Sequence, residues 1–209
     1  MNRKCCLLLS LALMCSLLLS ACSAIRGAET GSWSEDRLSF TNEWANFRFD
    51  LPDGWRALSA EEMETQLSAG EDILVNDGTN RTAIDVALFR TAYDFIVTTE
   101  DGLPNAIVAY ENLALVPGAG SVDAEGYYEI LKPQLLAITS MAYTEVGTSV
   151  EIIAGEEYYV GTFAVSGGIF YQDYYLRKVG KVIMSIIVTY TEDTAADAAD
   201  FLDGIQPVK

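Results

Sequence analysis

Residues 143–191 read YTEVGTSVEIIAGEEYYVGTFAVSGGIFYQDYYLRKVGKVIMSIIVTYT, and this stretch decides the fold. Four runs, 143–153, 157–166, 169–178 and 181–191, are rich in β-branched and aromatic residues, the side chains that suit a pleated surface. Between them stand Ala154-Gly155, Gly167-Gly168 and Val179-Gly180. Connections this short leave no room for a crossover, so each strand must lie antiparallel to the next. The fourth run differs from the others. Val182, Met184, Ile186 and Val188 fall on one of its faces, and Ile183 and Ile187 on the other. A strand apolar on both faces belongs at the centre of a sheet, covered from both sides.

Helices bracket this meander. Downstream, Thr191 is placed to cap a final helix from about Glu192, with Glu192 and Asp193 in its first turn and Ala195, Ala199 and Leu202 as its inner face. Upstream, Tyr127, Leu131, Leu135 and Ile138 form one apolar stripe of a helix that starts near Val122. Pro133 sits inside that stripe and predicts a kink or break. Further back, Ser59 and Glu62 have the spacing of a capping box, Met63 and Leu67 mark an inner helix face, and Gly70 marks its stop.

Strands are expected at 37–44, 46–51, 73–75, 82–91 and 106–113, with turns at Pro52-Asp53-Gly54 and Asp101-Gly102-Leu103-Pro104. The polar run Asn76-Asp77-Gly78-Thr79-Asn80 has closely spaced oxygens, but it lacks the alternating acids and closing glutamate of a calcium loop. It reads as a hairpin turn. The whole is an α+β chain: an antiparallel sheet with helices on both faces.

The segment Asn46-Phe47-Arg48-Phe49-Asp50-Leu51-Pro52-Asp53-Gly54-Trp55 resembles the early Phe-x-Phe-x-x-Pro-x-Gly-Trp strand and turn of the PsbP/Mog1-like group. The Tyr174–Thr191 hairpin with its terminal helix is similar too. The resemblance spans residues 37–208 and implies an α/β/α sandwich. Many lipoproteins of Gram-positive bacteria look like this and have no assigned activity. None of the functional residues of the better-known members maps onto this chain.

The N-terminus has its own logic. Asn2-Arg3-Lys4 is followed by a 15-residue uncharged run, Cys5–Leu19, and then by Ser20-Ala21-Cys22. A positive start, an apolar stretch and small residues make a secretory signal, and the run falls short of the roughly 20 residues a spanning helix needs. Leu19-Ser20-Ala21-Cys22 resembles the lipobox of bacterial lipoproteins. That resemblance implies a diacylglyceryl thioether on Cys22 and cleavage before it, so that residues 1–21 are a signal peptide. Residues 22–36 then form a flexible tether, and residues 37–209 a single domain. The 14 residues from Ser23 to Asp36 reach roughly 45–50 Å if extended and span about 20 Å as a coil. Trp33 stands out in this tether, suited to docking on the domain or at the lipid interface.

Charge and composition narrow the chemistry. The 209 residues carry 13 Lys and Arg against 30 Asp and Glu, a net charge of −17, and residues 1–21 hold only Arg3 and Lys4, so removing them deepens it to −19. Phosphate backbones and anionic lipid repel such a body, which excludes nucleic acid as a partner. There is no histidine, and the four cysteines all lie at or before Cys22. A His-dependent triad, a zinc site and a disulfide framework are therefore ruled out, and no cofactor or metal is expected. Asp193, Asp197 and Asp200 share one face of the last helix, which reads as a solvated outer face.

Eleven tyrosines are the most suggestive feature, with Tyr158, Tyr159, Tyr171, Tyr174 and Tyr175 on adjacent strands. Tyr171 and Tyr175 point to one side and Tyr174 to the other. Cross-strand aromatic pairing accounts for such residues, while the functional expectation is a binding patch at Tyr171, Tyr174 and Tyr175 for an envelope protein or glycan. The chain thus reads as a surface lipoprotein held at the outer face of the cell membrane through Cys22, a non-catalytic binding or assembly module. The alternative is a lipoprotein that binds a small ligand or cation with carboxylates and tyrosines.

Overall fold

The computed structural model describes residues 28–79, 81, 90–113 and 121–209. Its first three strands, β1 (Ser32–Trp33), β2 (Ser39–Asn42) and β3 (Phe47–Asp50), form a small antiparallel sheet in that order. Strand β4 (Trp55–Ala57) and helix α1 (Ala60–Asn76) follow, then β5 (Thr91–Thr99), β6 (Asn105–Asn112) and helix α2 (Ala124–Leu136). The meander is β7 (Thr144–Ile153), β8 (Glu156–Val165), β9 (Phe170–Val179) and β10 (Val182–Tyr190). A 3₁₀ turn (Glu192–Thr194) leads into helix α3 (Ala195–Asp203). The large sheet has seven strands, ordered β4-β5-β6-β10-β9-β8-β7, with every neighbour antiparallel. The expected α+β architecture is the observed one.

Strand β10 lies in the middle of this order, and eight of its nine residues are buried. Its two faces feed two separate cores. Ile183 and Ile187 join Ile96, Ile107, Phe163, Tyr174 and Leu176 beneath α1 and α2. Met184, Ile186 and Val188 join Phe95, Val97, Val108 and Tyr110 on the opposite face. That second face is covered by α3 and by the small sheet, whose Phe40, Phe47 and Phe49 point inward. Burial of each such aromatic or aliphatic side chain contributes about 1.5–3 kcal/mol, so the paired cores dominate stability.

Local chemistry sets the element ends. Ser59 Oγ accepts from the Glu62 N–H at 3.3 Å while Glu62 accepts from the Ser59 N–H at 2.8 Å, a complete capping box. At Ala154-Gly155 both residues take positive φ (53° and 78°), which lets a two-residue hairpin follow the strand twist. Gly161 on β8 makes room for α2: a Cβ there would lie 2.0 Å from the Tyr128 ring.

Several expectations are corrected. Helix α1 does not stop at Gly70 but continues to Asn76, so residues 73–75 are helical rather than a strand. Gly70 is buried within the stripe Met63, Leu67, Gly70, Leu74, and helical spacing carries through it. Asp77 closes no hairpin. Its carboxylate accepts from the Thr139 hydroxyl at 2.9 Å and the Ser140 N–H at 3.1 Å, tying the end of α1 to the segment after α2. Of the strand expected at 82–91, residues 82–89 lie outside the described residues; Arg90 is helical rather than in a strand, and Thr91 opens β5.

Helix α2 runs through Pro133 and ends at Leu136, with the Ala137 N–H still bonded to the Pro133 carbonyl. One turn from the C-terminus, the missing proline N–H costs a single bond, which packing of Leu131 and Leu135 outweighs. Helix α3 buries Ala198 and Phe201 rather than Ala195 and Ala199, because Phe201 stacks on Trp55 at 5.0 Å and sets the rotation. Residues 28–36 belong to the domain rather than to a free tether. Trp33 packs against Phe40, Phe49 and Phe95 at 5.1–5.8 Å, and the Gly31 N–H donates to Asp94 at 2.8 Å.

Candidate functional site

The layers do not cover the large sheet evenly. The small sheet and α3 sit over its β4-β5-β6-β10 half, and the β9-β8-β7 half of the same face stays partly open. Strand β7 is the extreme: nine of its ten residues are exposed.

Alternation along β9 decides which side chains reach this open face. Tyr171, Asp173 and Tyr175 share it, and the register sets Tyr190 of β10 opposite Tyr171 and Thr162 of β8 opposite Asp173. The Tyr171 and Tyr190 rings lie 5.8 Å apart and 22° from parallel. The Tyr190 hydroxyl donates to Asp173 Oδ2 at 3.0 Å. Burial pushes the Asp173 carboxyl above the usual range; the Thr162 and Tyr190 hydroxyls oppose that shift, and Glu151 on β7 reinforces it. The Tyr190 phenol is also raised, first by burial and then by the Asp173 charge. The result is a tyrosine stack beside a half-buried carboxylate, open toward the sheet edge. Flat aromatic surface next to an acceptor-only group suits a cation or a donor-rich partner.

The three expected tyrosines do not form one patch. Tyr171 is on the open face and partly exposed. Tyr175 is on the same face but only 5% exposed, a member of the core. Tyr174 is wholly buried on the opposite face, where its hydroxyl and that of Tyr143 donate to Gln172 Oε1 at 2.6 and 2.7 Å. Gln172 in turn donates to the Thr189 hydroxyl at 3.0 Å. Tyr174 is therefore a structural pillar. Sequence reasoning missed Asp173, Tyr190 and Glu151. Two-residue alternation from Tyr171 finds Asp173, and the turn at Gly180-Lys181, one residue later than the expected Val179-Gly180, places Tyr190 across from Tyr171.

Other polar clusters serve the fold. Arg177 is buried: it reaches Glu156 at 3.2 Å, lies over the Tyr158 ring at 5.3 Å and donates to the Ala45 carbonyl. Burial pushes the Tyr158 phenol up to about 12, against the pull of Arg177. A shallow cleft of about 460 Å³ beside the Pro52–Trp55 turn is lined by Asp36, Asp50 and Asp53 among others. Asp36 is spent there on a turn, accepting from the Ser34 hydroxyl and the Leu38 N–H, which lower its pKa. Asp193, in the 3₁₀ turn, and Asp197 and Asp200, on α3, are all exposed. No group of three or more His, Cys, Asp or Glu side chains among the described residues is placed to hold a metal, and no described helix is long and apolar enough to cross a membrane. Cys22 lies outside the described residues.

No family model and no curated protein matches the chain. Among solved structures it is similar to the cyanobacterial PsbP protein CyanoP from Synechocystis sp. PCC 6803, at 11% identity and a TM-score of 0.49, over 90% of this chain and 98% of that one. It is similar to LpqN, involved in cell envelope biogenesis of Mycobacterium tuberculosis, at 13% identity and a TM-score of 0.40, over 92% and 100%. A protein of Bacteroides thetaiotaomicron is similar at 13% identity and a TM-score of 0.40, over 82% of this chain and 48% of that one. These are likenesses of overall architecture.

Proposed function

We propose that the chain is a lipid-anchored module of the cell envelope, attached through Cys22 at the outer face of the membrane, that binds a partner macromolecule and catalyses no reaction. The observation that carries this reading is the uncovered end of the large sheet. It offers strand β7 exposed along almost its whole length, adjoining the Tyr171–Tyr190 stack and Asp173. Ten residues of strand extend about 34 Å, the dimension of a protein interface rather than of a small-molecule pocket. The negative charge of the body, repelled by anionic lipid, would hold this end away from the bilayer that the anchor enters. Tyrosine at such a face supplies contact area at low entropic cost.

A second reading is a small cationic ligand held by Asp173 and Glu151 beside the stacked tyrosines, and the half-buried Asp173 carboxylate favours it. The two readings separate by reach. A photo-crosslinking residue placed at Val150, at Tyr171 or at Glu64 on α1 is expected to give covalent adducts with an envelope macromolecule from the first two positions and not from the third. Adducts from all three alike, or from none, would contradict the proposal. Competition of the Tyr171 adduct by a small amine, with the Val150 adduct absent, would favour the second reading.

A further inference from the structure

Strand β7 ends the large sheet, and its outer edge has no neighbour among the described residues. Edges of this length are normally blunted by proline, lysine or brevity, because unpaired N–H and C=O groups recruit other strands. Strand β7 has ten residues, no proline and no lysine. Its single irregularity is a register shift between Glu145 and Gly147, so residues 147–153 run straight along β8. The two faces of that straight part differ. Thr148, Val150 and Ile152 alternate on the face that carries α2, and Val150 and Ile152 are 57% and 66% exposed, beyond the reach of the helix. Gly147, Ser149 and Glu151 alternate on the face of Asp173 and Tyr171.

Charge decides among occupants. The acids near this edge are Glu129, Glu145, Glu151, Glu156 and Glu157, against the cations Lys132, Arg177 and Lys178; Lys132 and Arg177 are already engaged with Glu129, Glu145 and Glu156. A second copy would bring another body of net charge −17 to the same place. Resting on the reading of the chain as a binding module, we infer that β7 is a strand-addition site for an extended cationic segment. The occupant pairs its backbone with 147–153, sets apolar side chains beside Val150 and Ile152, and sets lysine or arginine beside Glu151. Main-chain hydrogen bonds supply the affinity in this mode, and the acidic face supplies the choice of partner.

The test uses the full-length protein in detergent micelles and a fluorescein-labelled decapeptide of alternating valine and lysine. Saturable binding is expected by anisotropy, with new hydrogen-exchange protection at the amides of residues 147–153. Glu151→Lys is expected to weaken binding about tenfold or more. The same peptide N-methylated at alternate residues keeps its charge, loses strand donors, and is expected to weaken by a similar factor. Equal binding of the methylated peptide would overturn the inference, because charge alone would then suffice. Absence of binding, or protection confined to residues outside β7, would overturn it too. So would a dimer, seen by sedimentation without peptide and broken by Ile152→Lys, since the occupant would then be a second copy. Lipid attachment at Cys22 is measured separately, so failure here leaves that part of the functional proposal standing.

Discussion

The Tyr110 hydroxyl donates to Asp94 Oδ2 at 2.6 Å, and this bond exists because β5 bulges at Asp94. Regular alternation would send Asp94 and Phe95 to opposite faces. The register shift between Tyr93 and Phe95 lets both reach the face of the small sheet. There Asp94 also accepts from Asn42 Nδ2 at 2.9 Å and from the Gly31 N–H at 2.8 Å. One carboxylate thus clasps the N-terminal segment, β2 and the large sheet together.

Tyr110→Phe removes the donor to Asp94 and an acceptor of the Asn42 amide from this buried clasp and leaves the packing of the ring intact. The expected loss is about 1–2 kcal/mol, read as a lower midpoint at unchanged slope in urea unfolding. Wild-type stability in this variant would mean that the clasp contributes nothing to holding the sheets together.

Stability should rise on mild acidification. Burial raises the pKa of both Asp94 and Asp173 in the folded state, outweighing the hydrogen bonds that each accepts. Between the ordinary carboxylate value and the raised one, the folded chain holds protons that the unfolded chain has released. Their contribution is therefore complete below the unfolded pKa and is lost as pH rises through the folded pKa. Asp173→Asn is expected to flatten the slope of unfolding free energy against pH in that window, whatever it does to the absolute value. A slope identical to wild type would show that Asp173 titrates normally.

Gly161→Ala tests how closely α2 lies on β8. A methyl group would sit within 2.0 Å of the Tyr128 ring, which is itself held by a 2.6 Å bond from its hydroxyl to Glu145. Overpacking of this kind costs about 1–3 kcal/mol. The melting temperature should fall by several degrees, and Tyr128→Leu in the same chain should recover part of the loss. An unchanged melting temperature would place the helix further from the sheet.

Much of this architecture is legible in sequence, for local reasons. The four strands of the meander fall within a residue or two of their expected bounds, since the turns at Ala154-Gly155, Gly167-Gly168 and Gly180-Lys181 are set by a few local residues. The Ser59–Glu62 capping box is equally local. Strand β5 was hidden by the bulge at Asp94, which breaks the alternation that would reveal it. Gly70 reads as a stop only when its burial within a helix stripe is unknown. The proposed binding face is half legible: alternation separates Tyr171 and Tyr175 from Tyr174, but which residues stay uncovered depends on where the small sheet and α3 come to rest. Those contacts join residues far apart in the chain, such as Trp55 and Phe201, and no short-range pattern encodes them.

The most direct test of the account is the intact mass of the protein purified from the membranes of its own cells. The proposal requires a chain that begins at Cys22, lacks residues 1–21, and carries a diacylglyceryl group on that sulfur. A mature chain with a free Cys22 thiol and no fatty substituent would contradict it.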